Sequence, residues 1–305
     1  MRNASNILMI RPVNFTFNEQ TAGSNAFQNR SGEENIQVEA LREFDNMVEI
    51  LKKEDVNVMV IDDTPFPHTP DSIFPNNWIS FHEDGTVFLY PMLAANRRLE
   101  RKPYIINKVM GEFDVKHVHD LSHFEKDNQF LEGTGSMVLD NEHRIVYACI
   151  SPRTDLKVLN EFCLIADYQP ISFHAIDGNG VPVYHTNVMM CIGSGFAVIC
   201  LNSIHDKIER ESVEASLKKS KKEIIEISLT QLNKFAGNMI QLTNKRNEHL
   251  LLMSEKAYTC LSKDQISRLE KYGKLVHTPL DTIENNGGGS ARCMIAEINM
   301  DKLKR

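Results

Sequence analysis

Ser136-Met137-Val138-Leu139-Asp140-Asn141-Glu142-His143-Arg144-Ile145-Val146-Tyr147 is two apolar runs around a polar turn, the pattern of a β-hairpin. The pattern recurs on both sides. Runs at 78–81 and 86–90 flank Glu83-Asp84-Gly85, runs at 187–191 and 196–199 flank Gly193-Ser194-Gly195, and runs at 239–242 and 249–252 flank a polar turn at 244–247. Helical periodicity follows most of these hairpins, at 99–110, 155–165, 206–219 and 263–272, with Ser262 and Gln265 spaced as a capping box for the last. Upstream, Leu41, Phe44, Val48 and Leu51 mark one more helix, which leads into a strand at 56–61. A recurrence of roughly fifty to sixty residues is the mark of an internally repeated αβ unit. The 305 residues accommodate about five such units, the fifth completed when the strand after Cys293 meets a strand at 6–10. The expected fold is therefore α/β, a five-bladed αβ propeller of ββαβ units around a pseudo-fivefold axis, in one catalytic domain over 1–305.

Composition excludes several classes. A net charge of −7 and a pI near 5.9 leave no basic footprint for a phosphate backbone, so no nucleic acid is expected as a partner. The apolar runs are strand-sized, and the apolar stretch within 1–10 is too short for a signal peptide, so a soluble, cytoplasmic protein without a membrane partner is expected. Cys149, Cys163, Cys191, Cys200, Cys260 and Cys293 show no C-x-x-C pair and sit mostly in apolar runs, as reduced core thiols do. No oligomeric state follows from the sequence. Residues 15–32, polar and containing Gly and Asn, are read either as a lid or as a disordered arm.

In a ring of repeats the loops of all units converge on the axis, so useful side chains recur at like positions. Asp71 with Asn76 and Asn77, then Glu132, then His185 with Asn187, then Asn238, then Cys293 lie just before or at the start of the hairpin strands. Taken singly, each has a plainer reading. Cys293 is a small core residue, His185 a structural imidazole and Glu132 a turn carboxylate. Taken together, a carboxylate, an imidazole and a thiol at successive units form a set for covalent catalysis. Gly287-Gly288-Gly289 just before Cys293 allows a close backbone approach. It is not a phosphate loop, because it lacks a Lys and leads into a strand.

These motifs carry a resemblance. Glu132-Gly133-Thr134-Gly135, His185-Thr186-Asn187 and Gly289-Ser290-Ala291-Arg292-Cys293 are similar to the catalytic motifs of the guanidino-group-modifying enzymes, the pentein superfamily of arginine deiminases, dimethylarginine dimethylaminohydrolases and amidinotransferases. The stretch from Asp71 to Asn77, the segment around Arg97 and Ser151-Pro152-Arg153-Thr154 resemble the substrate-binding segments of the dimethylarginine hydrolases. Phe74-Pro75-Asn76-Asn77-Trp78 and Tyr184-His185-Thr186-Asn187 look most like bacterial citrulline-utilisation hydrolases. The resemblance implies Cys293 as nucleophile, His185 as acid and base, and Glu132 as its orienting partner. It further implies Asp71, Asn76, Asn77, Asn187 and Asn238 near the substrate, Arg97 and Arg153 on an amino-acid carboxylate, and neither a metal nor a cofactor. Relatives that bind guanidinium carry carboxylates at the positions of Asn77 and Asn187. Amides there suit a neutral ureido group, so citrulline is the expected substrate and an arginine derivative the alternative, by hydrolysis or amidino transfer. Two readings from other classes stand beside it: a metal site on His117, His119 and His123, and a catalytically silent repeat scaffold.

Overall fold

The computed structural model describes residues 6–30 and 35–303. Residues 1–5, part of the stretch read for a leader, and 31–32, the end of the suspected lid, lie outside the described residues, as do 33–34 and 304–305. The chain alternates short strands with helices. The fifteen strands among the described residues are β1 (Asn6–Arg11), β2 (Asn57–Asp62), β3 (Ile79–Phe81), β4 (Thr86–Leu89), β5 (His117–Asp120), β6 (Met137–Asp140), β7 (Ile145–Cys149), β8 (Gln169–Phe173), β9 (Met190–Gly193), β10 (Phe196–Ile199), β11 (Glu223–Glu226), β12 (Ile240–Thr243), β13 (His249–Ser254), β14 (Lys274–Thr278) and β15 (Ala296–Ile298).

One pairing rule repeats through them. β3 is antiparallel to β4, which is parallel to β5; β6, β7 and β8 pair in the same way, as do β9, β10 and β11 and β12, β13 and β14. The fifth set joins distant parts of the chain. β15 is antiparallel to β1, with Asn6 opposite Ile298, and β1 is parallel to β2. The expected meeting of the 6–10 strand with the strand after Cys293 is thus present. The parallel step in each set requires a crossover, and helices supply it. Ile36–Lys53 crosses from β1 to β2, Pro103–Met110 from β4 to β5, Leu156–Ala166 from β7 to β8, Lys207–Lys219 from β10 to β11 and Lys263–Leu269 from β13 to β14.

Local chemistry explains where these helices begin and which face they bury. Asp155 and Asp206 cap their helices by accepting backbone N–H bonds, and Ser262 with Gln265 forms the reciprocal capping box. The 99–110 expectation was too long at its start. Pro103 occupies the first helical turn and holds Lys102 extended, so the helix spans Pro103–Met110. Phe44, Met47 and Leu51 on Ile36–Lys53 pack with Ile7 and Met9 of β1 and with Leu280, Ile283 and Cys293. A second cluster unites β9, β10 and β13 with the helix Lys207–Lys219. β3, β6, β9, β12 and β15 are the inner strands, one to each set, and β6 and β9 start later than expected because helical turns occupy Gly133–Ser136 and Thr186–Met189. No helix among the described residues is long and apolar enough to cross a membrane.

Candidate active site

A short helical turn stands before four of the five inner strands. Pro75–Asn77 precedes β3, Gly133–Ser136 precedes β6, Thr186–Met189 precedes β9, and Ala291–Met294 precedes β15. Each turn, or the residue capping it, carries a candidate site residue: Asn76 and Asn77, Glu132, His185 with Asn187, and Cys293. Asn238 stands two residues ahead of β12. A lone turn of helix exposes its first N–H groups and points its cap side chain away from the strand that follows, so one local device recurs at the head of successive strands.

These heads converge. Asp71, Asn77, Arg97, Arg153, His185 and Cys293 line one small buried cavity. His185 Nε2 lies 2.8 Å from Glu132 Oε2. Burial opposes ionisation of Glu132, yet Arg153, His185 and Arg97 together hold its pKa down to about 2. Glu132 is therefore the acceptor, Nε2–H the donor, and the lone pair falls to the other ring nitrogen. Burial dominates at His185 and lowers its pKa to about 4 despite the Glu132 bond, so the imidazole is neutral near pH 7. Gly135 allows this approach, since a Cβ there would overlap Asn77 Nδ2 and lie 2.8 Å from His185 Nδ1.

The Cys293 thiol is 3 % exposed and sits under two amides. Asn238 Nδ2 lies 3.3 Å and Asn187 Nδ2 3.5 Å from Sγ. Asn238 is fixed in turn, donating to Asn187 O at 2.9 Å and accepting the Arg292 N–H at 3.0 Å. Both asparagines thus turn N–H donors toward the sulfur. Behind the thiol, Ser290 accepts the Cys293 N–H through its carbonyl at 2.9 Å and donates its hydroxyl to Glu284 at 2.6 Å. Gly288 ends the preceding helix Asp281–Gly287 in the left-handed region at φ 65°, and a Cβ on Gly289 would lie 2.8 Å from the Phe74 ring.

Two arginines are buried beside the carboxylates. The Nε and Nη2 edge of Arg97 grips Glu100 at 2.9 and 3.0 Å, and Nη1 donates to Asn77 Oδ1 at 2.8 Å. Its fork is thereby taken, and Nη1 is what it offers the cavity. Arg153 reaches Glu132 at 3.4 Å with Nη1 and turns Nε and Nη2 to Ser24 Oγ at 3.2 and 2.7 Å. Asn76 donates to Thr134 Oγ1 at 3.3 Å and accepts from Asn77 Nδ2 at 3.0 Å. Asp71 Oδ2 accepts from Asn18 at 2.7 Å, while Oδ1 is buried without a hydrogen-bond partner. Burial raises the Asp71 pKa against the pull of Arg97.

Residues 15–30 close the front. Gln28 donates to Asn286 O at 2.8 Å, Asn29 N–H to Asn285 O at 2.6 Å, and Phe27 packs edge-on to Tyr184. Sequence reading missed Asn18, Ser24, Glu100 and Glu284. Only Glu100 left a signal, its three-residue spacing from Arg97. The histidines weighed as metal ligands do not converge: His119 stacks on Phe88 and His123 lies tilted against Phe124. Among the described residues, the group of three possible metal ligands is instead Asp140, Glu142 and His143, and Lys222 Nζ already lies 3.5 Å from Asp140 and 3.4 Å from Glu142.

Comparisons with known proteins fit this geometry. The fold is shared with ArgZ, an arginine dihydrolase from cyanobacteria, at TM-score 0.77 and 20% identity over 98% of this chain; the chain spans 41% of that protein's length. The N-terminal domain of ArgZ, covalently bound to a reaction intermediate, gives TM-score 0.75 and 20% identity over 96% of this chain and 97% of that one. A dimethylarginine dimethylaminohydrolase adduct with S-methyl-L-thiocitrulline gives 0.65 and 13% over 97% of this chain and all of the other. Curated protein sequences return no match. Fold and family model place the chain among the pentein guanidino-modifying enzymes. Residues 11–300 match the family described as N,N dimethylarginine dimethylhydrolase, eukaryotic, and the chain belongs to it.

Proposed function

We propose that the protein hydrolyses citrulline to ornithine, ammonia and carbon dioxide through an S-carbamoyl intermediate on Cys293. The observation that carries this reading is Asn77. Its oxygen is bound by Arg97 and its nitrogen by Asn76, so it brings no charge to the ligand, and Asn187 likewise spends its amide on the thiol. A guanidinium would enter beside two buried arginines with one unpartnered carboxylate oxygen, Asp71 Oδ1, to receive it. A neutral ureido group places one NH2 on that oxygen and adds no third cation.

The chemistry follows from the protonation states. Neutral His185 takes the thiol proton, and the thiolate bonds to the ureido carbon. The bond to the ornithine nitrogen breaks as His185 protonates that nitrogen. Water, deprotonated by the same imidazole, then adds to the carbamoyl carbon. The C–S bond breaks, the proton returns to sulfur, and the carbamate divides into ammonia and carbon dioxide. Glu132 keeps the imidazole oriented, and Arg153 holds the substrate carboxylate by the fork that Ser24 now fills.

Asp71 also favours a second reading, in which arginine is hydrolysed by the same residues, as the likeness to the arginine dihydrolase ArgZ suggests. An ornithine and ammonia assay on citrulline, arginine and dimethylarginine decides between them. Ornithine from arginine with none from citrulline would sink the first reading. We also propose that the five strand sets close into a five-bladed ring. In support, β3, β6, β9, β12 and β15 all line one cavity.

A further inference from the structure

The cavity shared by the five inner strands is separate from the one that holds the substrate residues. Its inner end reaches Thr134 and Asn187, at the heads of β6 and β9, and Asn187 is the side chain on the thiol. Its outer end opens among hairpin tips, at His82, Asn141, Glu142 and Ser194. Asn187 therefore borders both this cavity and Cys293 Sγ, which Asn238 also contacts. The outer end carries charged and polar side chains, among them Asp140, Lys222 and Glu297, and polar walls hold water where apolar ones stay dry.

The front offers no comparable route. Asn18 on Asp71, Ser24 on Arg153 and Gln28 on Asn286 close it at separate points, and ornithine would still lie beneath them when the carbamoyl enzyme forms. We propose that the inner-strand cavity is a rear solvent passage, which brings the hydrolytic water to the carbamoyl carbon and drains ammonia and carbon dioxide while the front is shut. It rests on the covalent-hydrolysis reading above. Water enters as the nucleophile, two small neutral molecules leave, and ornithine departs separately by the front.

Ile192 and Leu139 line this cavity near the tips, are partly exposed, and touch neither the thiol nor its partners. In Ile192→Trp and Leu139→Trp the first-turnover burst of ornithine should stay at the parent rate. The steady-state rate should fall at least ~5-fold, with carbamoyl-Cys293 accumulating in quenched samples by mass spectrometry. Ile192→Ala, which widens the passage without crowding the fold, should raise the partition of methoxyamine over water on the adduct by at least ~3-fold. An unchanged steady state in folded Trp variants, or burst and steady state falling together, overturns the passage. So does an unchanged partition in Ile192→Ala. Absence of any adduct in the unmodified protein on citrulline or arginine would overturn the covalent reading itself, which is a different result from these.

Discussion

Asn77 decides more than its size suggests, because the amide sits between a buried guanidinium and the ligand. Arg97 Nη1 donates to its oxygen at 2.8 Å. A carboxylate there would keep that bond and add a negative charge facing the cavity, which stabilises a cation and repels the carbonyl of a ureido group. Asn77→Asp should therefore raise the arginine-to-citrulline ratio of kcat/KM at least ~10-fold, about 1.4 kcal/mol; a ratio moving toward citrulline would refute the charge argument. His185 gives a second residue-level expectation. Its pKa is lowered to about 4, first by burial, so the neutral base persists as pH falls past the usual histidine range and is lost only near pH 4. The acid limb of kcat/KM should lie near pH 4, checked on enzyme shown by circular dichroism to remain folded; a limb near 6.5 would contradict the assigned state. At Asn238 the amide donates to sulfur at 3.3 Å. Asn238→Ala removes that donor and should lower kcat/KM at least ~5-fold in steady-state assays, whereas an unchanged kcat/KM in the folded variant would leave Asn238 a structural residue only.

At the scale of elements, the hairpins and crossover helices were legible because period-two and period-3.6 patterns survive wherever one face is buried. The Asp206 cap and the Ser262 box were legible because capping depends on local chemistry alone. The helical turns before the inner strands were not. Thr186-Asn187-Val188-Met189 is fully buried, so its apolar and β-branched composition mimics a strand, while tertiary packing bends it into a turn that aims His185 and Asn187 inward. Residues 15–30 were legible only as a composition, since their order comes from long-range bonds such as Gln28 to Asn286 and Asn18 to Asp71. Those bonds make a prediction for the element. Gln28→Ala removes one tie without touching the reacting groups, so KM should rise about 3- to 10-fold with kcat nearly unchanged. Ligand should also slow limited proteolysis within 15–30 less in the variant than in the parent. Equal protection would mean that the front is held shut by packing alone.

For the whole molecule the consequence lies in β1 and β15. The strand after Cys293 has its antiparallel partner at the opposite end of the described chain, with Leu8 facing Ala296, so the geometry of Cys293 depends on a contact of very long sequence separation. Glu132, His185 and Cys293 stand at the heads of three strand sets and can hold one arrangement only if those sets unfold together. Leu8 on β1 and Leu252 on β13 are both fully buried and belong to different sets. Leu8→Ala and Leu252→Ala should each lower stability by about 2–5 kcal/mol. In both variants one thermal transition should persist, with calorimetric and van't Hoff enthalpies equal and loss of activity coincident with loss of ellipticity. Two resolved transitions, or a Leu252→Ala protein that loses its β13 region while activity survives, would divide the chain into independent units. A single shifted transition would instead tie the thiol on one set to the imidazole on another through one cooperative unit. It would also explain why so small a site is assembled from so much of the chain.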